Sequence, residues 1–236
     1  MPRTIINDQN INYEFAGITE FRLRTPALML HGNGESMRIY AKVLPPLMAT
    51  RGFVLMDSRY QGDSKPLYGD RPPRITYDLM ADDAVKLMEE TLNIGEYDII
   101  GFSDGAITAL KIALRSIRVR RLILIGVNSD PSGLRPAAVR QIKRDREKAA
   151  QEGRLVKAEL CRLMLEEPKL TRDDLAKVIC ETTVVYGRKD EAIKRGHAEA
   201  IADAIPRGSF IEIKNAGHDI PRTHPDELAE IIRSLL

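Results

Sequence analysis

Ser103 stands between two glycines in Gly101-Phe102-Ser103-Asp104-Gly105, the pattern G-x-S-x-G. Apolar Ile99 and Ile100 precede it, and a helical pattern of Ala106, Ile107, Ala109, Leu110, Ala113 and Leu114 follows at once. A sharp strand-to-helix turn holds its serine in a strained conformation and needs small neighbours, because side chains on both arms would collide across the bend. Such a turn lifts the hydroxyl above a sheet edge at the start of a helix, where unpaired backbone N–H groups and the helix dipole favour negative charge. The chemistry this suits is nucleophilic attack, provided a base takes the serine proton.

That base is usually a histidine oriented by a carboxylate. The chain has four histidines, His31, His197, His218 and His224. His218 stands in Asn215-Ala216-Gly217-His218-Asp219, just after the apolar stretch 210–213, and Asp190 follows the apolar stretch 183–186 in Tyr186-Gly187-Arg188-Lys189-Asp190. Loops that follow parallel strands meet at one sheet edge, where Ser103 also emerges. The chain order Ser103, Asp190, His218 is the order that accompanies G-x-S-x-G. His197 and His224 read as surface residues near helix ends.

Positioning these residues takes a particular set of elements. Residues 5–15 form two alternating stretches around Asn7-Asp8-Gln9-Asn10, an antiparallel hairpin. Apolar strands are expected at 27–30, 52–56, 99–100, 122–125, 183–186 and 210–213. Met80, Ala84, Leu87, Met88 and Thr91 recur at helical spacing, with Gly95 as a stop, and Pro225 opens a last helix with Leu228, Ile231, Ile232 and Leu235 on one face. Strands alternating with helices indicate an α/β protein with a mainly parallel central sheet and helices on both faces. Residues 134–175 break the alternation with helical patterns alone, which makes them a helical insertion after the sixth strand. Pro136 suits a helix start, Gly153 and Pro168 suit helix ends, and Thr171-Arg172-Asp173-Asp174 suits a capping box.

Composition narrows the function. With 43% hydrophobic and 30% charged residues, the 236-residue chain reads as one soluble globular domain. A net charge of +2 is too near balance for a nucleic-acid partner. The N-terminus lacks the apolar stretch of a signal peptide and no run is long enough to span a membrane, so no membrane partner is expected and a cytoplasmic location is. Cys161 and Cys180 lie in no metal- or redox-type spacing and read as isolated buried thiols. No cofactor and no metal is expected, and the partner is a small-molecule substrate.

At this point the chain resembles the α/β-hydrolase fold serine hydrolases, over most of its length. His31-Gly32-Asn33-Gly34 resembles the family's oxyanion loop. The stretch from Asp57 through Arg59 and Gly62 to Ser64 resembles its D-x-R-x-x-G-x-S loop, with Tyr60 where glycine is usual. Residues 101–105 resemble the nucleophile elbow, and 186–190 and 216–218 the acid and base loops. The elbow region, 101–110, is most similar to valacyclovir hydrolase-like esterases. The resemblance implies an α/β-hydrolase fold, with residues 1–133 and 176–236 as the core and 134–175 as a lid. It implies Ser103 as nucleophile, His218 as base and Asp190 as the orienting acid. Asp130, in Val127-Asn128-Ser129-Asp130, occupies the other position where the fold can carry its acid. The backbone N–H groups of Asn33 and Asp104 would form the oxyanion hole, and Gly32, Gly34 and Glu35 would meet substrate. His31 would hold the oxyanion loop, and Arg59 would pair inside its own loop.

The expected function is hydrolysis of a small soluble ester through an acyl-enzyme. The alternatives are C–C bond hydrolysis or other triad chemistry on the same fold, or a non-catalytic binding module. Dinucleotide binding is disfavoured, because the third glycine of G-x-G-x-x-G would fall on Met37. Residues 134–175 contain no Phe, Tyr or Trp and many charges, which points away from a lipid surface. Asp104 and Glu35 both flank the expected oxyanion site, and either carboxylate would favour a cationic substrate group.

Overall fold

The computed structural model describes residues 2–19, 24–69, 72 and 74–236. The chain opens with a hairpin of β1 (Arg3–Ile6) and β2 (Gln9–Gly17). Its turn is tighter than the sequence reading: Asn7 and Asp8 alone make it, at φ +46° and +59°. Asn and Asp tolerate this left-handed region, and two such residues match the twist of a hairpin. The strands that follow are β3 (Ala27–Leu30), β4 (Gly52–Met56), the two-residue β5 (Lys65–Pro66), β6 (Tyr97–Phe102), β7 (Val119–Ile125), β8 (Glu181–Gly187) and β9 (Gly208–Ile213). Their order in the sheet is β1-β2-β4-β3-β6-β7-β8-β9, with β5 beside β2. From β4 to β9 every pairing is parallel, and only the hairpin side is antiparallel.

A sheet buried on both faces needs apolar residues at every position, not at alternate ones. β3, β4 and β6 are buried along their whole length. Leu28, Leu30 and Val54 face one layer, containing α1 (Tyr77–Val85), α2 (Asp104–Ala113) and α6 (Arg195–Ala204). Ala27, Met29, Phe53 and Leu55 face the other, with Ile220 of α7 (Ile220–Thr223) and Leu228 and Ile232 of α8 (Pro225–Leu235). The expected helix around Met80 to Thr91 is regular only to Val85 and continues as a wider π-type turn over Lys86–Thr91.

Between β7 and β8 lie a short 3-10 turn (Pro131–Gly133), three α-helices and no strand: α3 (Pro136–Gln151), α4 (Leu155–Glu166) and α5 (Arg172–Leu175). The two-residue β5 raises by one the number of strands that precede them. Pro136 takes the first turn of α3, Gly153 turns the chain at φ +69°, and Thr171 and Asp174 form the capping box. Only Ala149 of α3 is buried, so this helix is a charged outer cover. The inner helix α4 is tied to the segment before α1 by Arg162, which donates to the Ile75 carbonyl at 2.5 Å and is held in place by Glu159 and Glu166 of its own helix at 2.8–2.9 Å. No helix among the described residues is long and apolar enough to cross a membrane.

The loop 57–64 is a buried polar brace. Asp57 accepts from Met37 N–H at 2.8 Å, Asp63 N–H at 2.8 Å and Asn12 Nδ2 at 3.0 Å. Arg59 does not pair inside the loop as expected. It reaches α1 and binds Asp83 through two hydrogen bonds of 2.7 and 2.8 Å, with both residues buried. The reason is geometric: Asp57 is already filled by amide donors, and Asp83 is the carboxylate that α1 presents to the loop. Removing one partner of a buried pair leaves an uncompensated charge, which typically costs about 3–5 kcal/mol. Arg59→Met is therefore expected to lower unfolding stability by about that amount in urea titrations, and Arg59→Met with Asp83→Leu to recover much of it.

Candidate active site

The loops after β3, β6, β7, β8 and β9 converge on one edge of the sheet. At its centre, Ser103 sits at φ +52° and ψ −117° between the end of β6 and the first residue of α2. A Cβ on Gly101 would lie 2.4 Å from the Gly105 carbonyl oxygen, and one on Gly105 would lie 2.2 Å from that of Leu30. Both glycines are there because backbone passes where a side chain would be. Ser103 N–H donates to Ile125 O at 2.8 Å, which anchors the turn to β7.

The structure brings Ser103, His218 and Asp190 into one chain of hydrogen bonds. Ser103 Oγ lies 3.2 Å from His218 Nε2, and His218 Nδ1 lies 2.8 Å from Asp190 Oδ2. The other Asp190 oxygen accepts from Ala192 N–H at 2.8 Å and Ile193 N–H at 2.7 Å, which fixes the carboxylate plane. With Nδ1–H donating to Asp190, the Nε2 lone pair faces the serine hydroxyl. Burial opposes a charge on His218, but the hydrogen bond and charge of Asp190, with Glu191 and Asp219, outweigh it and raise the imidazole above its ordinary value. Gly126, at φ +61°, leaves room for the ring: a Cβ there would meet His218 Cε1 at 2.8 Å. Asp130 is elsewhere, accepting from Ser132 N–H at 2.8 Å in the turn after β7.

The other histidines are structural. His31 Nε2 accepts from Ser58 N–H at 3.0 Å, so its proton is on Nδ1, which donates to Gly32 O at 2.7 Å. Burial pushes its pKa down. His197 is not the surface residue expected from sequence. It is half-buried, its ring lies against Gly133, and its Nε2 accepts from Ser129 N–H at 3.1 Å. His224 bonds Thr223 Oγ1 through Nδ1 at 2.9 Å.

Gly32 and Asn33 pass beside the serine, and a Cβ on Gly32 would lie 3.3 Å from Ser103 Cβ. Among the described residues, the N–H groups of Asn33 and Asp104 have no protein acceptor, so both are free to bind an anion. The Asn33 side chain donates to Asp104 Oδ2 at 2.8 Å and to Leu160 O of α4 at 3.2 Å, tying loop, elbow and inner helix together. Gly34 does not line the cavity. It turns the loop at φ +70°, and its N–H donates to Gln61 Oε1 at 2.6 Å, so it shapes the loop from behind. Glu35 reaches the cavity but is ion-paired to Arg222, which also binds Asp219 at 3.1 Å. Asp104 is different. It is 5% exposed, has no ion pair among the described residues, and burial pushes its carboxyl up to about 6 against the pull of Asn33 and His218.

These groups open into a cavity of about 540 Å³, lined on its far side by Leu134 just before α3, Ala137 and Ile142 of α3 and Met164 of α4. Tyr77, Lys157, Glu191 and Arg222 also line it, and none of them stands in a motif that sequence could flag. Tyr77 OH stands beside Asp104 without reaching hydrogen-bond geometry. Among the described residues no cluster of His, Cys, Asp and Glu could hold a metal ion, and the two cysteines are free and buried. The hydrogen bonds make two titration behaviours separable. In nitrogen-15 NMR titrations, His218 is expected to gain its proton at higher pH than His31, whose ring remains neutral with the proton on Nδ1 where His218 is already charged. A His31 that protonates first would contradict the geometry.

The Alpha/beta hydrolase family matches residues 27–231. Mouse serine hydrolase BPHL is 27% identical over 255 aligned positions, covering 99% of this chain and 85% of that protein. The 2-hydroxymuconate semialdehyde hydrolase of Pseudomonas sp. (strain CF600) is 28% identical over 251 positions, covering 89% and 86%. In fold, a thermophilic esterase from Thermogutta terrifontis superposes with a TM-score of 0.82 at 22% identity, covering 100% of this chain and 98% of that one. With the family's match spanning all but the first 26 and the last five residues, the chain belongs to the alpha/beta hydrolase family and is a hydrolase.

Proposed function

We propose that this hydrolase cleaves a small ester through an acyl-enzyme on Ser103. The observation that carries the reading is the strained serine hydrogen-bonded to His218, itself bonded to Asp190. His218 Nε2 takes the hydroxyl proton as Oγ attacks the acyl carbon. The carbonyl oxygen becomes an oxyanion between the N–H groups of Asn33 and Asp104, and Asp190 stabilises the imidazolium. Collapse breaks the ester C–O bond, and His218 returns its proton to the leaving alkoxide. Water then repeats the cycle in place of the alcohol. One oxyanion donor is typically worth about 3–4 kcal/mol of barrier, which is why the backbone position of Asn33 matters more than its side chain. The cavity volume of about 540 Å³ suits a small acyl group.

A second reading keeps the triad and changes the bond. The likeness to a 2-hydroxymuconate semialdehyde hydrolase supports C–C cleavage of an activated ketone. A fluorophosphonate probe with a panel of short esters and vinylogous diketones distinguishes the possibilities. Ester turnover with labelling at Ser103 is the expected result, and Ser103→Ala lowers kcat on the order of a millionfold. No labelling at Ser103 overturns the serine hydrolase reading, and turnover of the diketones alone favours C–C cleavage.

Of the two carboxylates that flank the reacting carbonyl, Glu35 is neutralised by Arg222, so Asp104 is the one available to a substrate cation. We read the preferred acyl group as cationic, as in an amino-acid ester. Asp104 carries its charge above about pH 6 and loses it below. The preference for an amino-acid ester over its N-acylated counterpart is therefore expected to grow as pH rises through that value. In Asp104→Asn it falls about tenfold and no longer depends on pH there. Equal kcat/KM for both esters in the parent enzyme would remove this substrate assignment.

A further inference from the structure

A base is only as well placed as the main chain that carries it. β9 ends at Ile213, and His218 follows in a loop with little regular bonding of its own: Ala216 N–H reaches Ile213 O only at 3.4 Å. This loop takes its shape from the one after β8. Arg188 N–H donates to Ile213 O at 3.0 Å and Lys189 N–H to Ala216 O at 2.8 Å. A Cβ on Gly187 would lie 2.2 Å from Gly217 O, so the two loops run in backbone contact. Glu191 closes this seam. Its Oε2 accepts from His218 N–H at 3.1 Å, and a Cβ on Gly217 would meet the same oxygen at 2.9 Å. Glu191 also lines the cavity.

We propose that Glu191 is a positioning residue for the base: its carboxylate clamps the main chain of His218, and its charge favours the imidazolium that forms as Ser103 attacks. The inference rests on the reading of Ser103, His218 and Asp190 as the reacting set. Two consecutive acids then divide the work, Asp190 holding the ring and Glu191 the backbone behind it. The charged groups that face His218 are Asp190 and Glu191 from the loop after β8, Asp219 from its own loop, and Asp104 at the start of α2. Gly126 and the Phe102 ring, 5.3 Å from the imidazole, bring no charge. Arg222 is committed to Asp219 and Glu35. Glu191 thus acts in the same direction as Asp190, and burial opposes them.

The two effects of Glu191 separate in a pair of variants. Glu191→Gln keeps an acceptor for His218 N–H but removes the charge, and Glu191→Ala removes both. The readout is kcat/KM for para-nitrophenyl acetate across the acid limb of the pH profile, where activity is lost as His218 takes up its proton. In Glu191→Ala the plateau is expected to fall about tenfold, the loss of one hydrogen bond to a charged group. In Glu191→Gln most of that loss is restored. In both, the acid limb moves to lower pH, because a less stabilised imidazolium gives up its proton sooner. A limb that stays at the parent pH in both variants overturns the proposal, as does a parent-like plateau in Glu191→Ala. Should the alanine variant fold poorly, the glutamine variant alone still tests the limb. Fluorophosphonate labelling of Ser103 in the parent protein keeps the tests apart: absent labelling counts against the triad, while normal labelling with an unmoved limb counts against Glu191 alone.

Discussion

The structure depends first on one steric constraint, the approach of α2 to the sheet at the elbow. Ser103 holds a backbone conformation, φ +52°, that an isolated residue would leave. Such conformations cost about 1–3 kcal/mol and persist only where their surroundings over-determine them. Here three strands do so together. β3 presents the Leu30 carbonyl to Gly105, β6 delivers Gly101 to within touching distance of the same turn, and β7 takes the Ser103 N–H at Ile125. The hydrophobic layers on both faces keep these strands in register, so the energy that places the serine comes from the core and not from the loop. The histidine and acid come from β8 and β9 on one flank, and the oxyanion loop from β3. The elbow is thus the fixed point against which every other catalytic loop is set.

The oxyanion loop needs its own support, because a free N–H pair aimed at empty space is not a conformation a short loop adopts by itself. The polar brace at Asp57 supplies it. Asp57 holds Met37 N–H, Gln61 holds Gly34 N–H, and His31 holds the Gly32 carbonyl, so the loop is pinned behind, beside and ahead of Asn33. Buried polar groups are costly unless paired, and this cluster is paired throughout its carboxylates and its imidazole. The D-x-R-x-x-G-x-S loop therefore shapes the loop that carries Asn33 without reaching the cavity itself. Its arginine extends the brace to α1 through Asp83, and its Tyr60 adopts the φ of +61° that glycine would adopt more easily.

What was legible in the sequence follows the range of the interactions. Apolar runs located eight of the nine strands, including the two of the hairpin, to within a few residues, and missed β5, whose pairing is with a distant segment. The widening of the helix at Lys86–Thr91 left no mark in the apolar period. Ser103, Asp190 and His218 were legible because each stands in a loop whose position after a strand is itself readable, and the structure brings these three together. Gly34, Arg59 and His197 were misread for one common reason. Their roles are set by partners remote in sequence, Gln61, Asp83 and Ser129, and no local pattern names a remote partner. Glu191, Tyr77 and Lys157 were silent on the same ground: each reaches the cavity by tertiary packing alone.

The charges around the reacting serine are not neutral in their effect. Asp190, Glu191 and Asp219 stand on the histidine side and favour a charged His218, which on the proposed reading is the charge that would develop during attack. On the proposed reading Asp104 stands on the oxyanion side, where negative charge would develop, and its own N–H would be offered to that oxyanion while its carboxylate would oppose it. A buried carboxylate one residue from the nucleophile is thus a liability to the transition state unless something offsets it. Burial partly does, by lifting its pKa to about 6, and the Asn33 amide shares its charge. Neither removes it at neutral pH. A cation carried in by the substrate would do so at the moment of reaction and not before, which places binding energy where the barrier is rather than in the resting enzyme. On the proposed reading, the acid beside the serine would be tolerated in the fold because a cationic substrate would complete the electrostatics of the site.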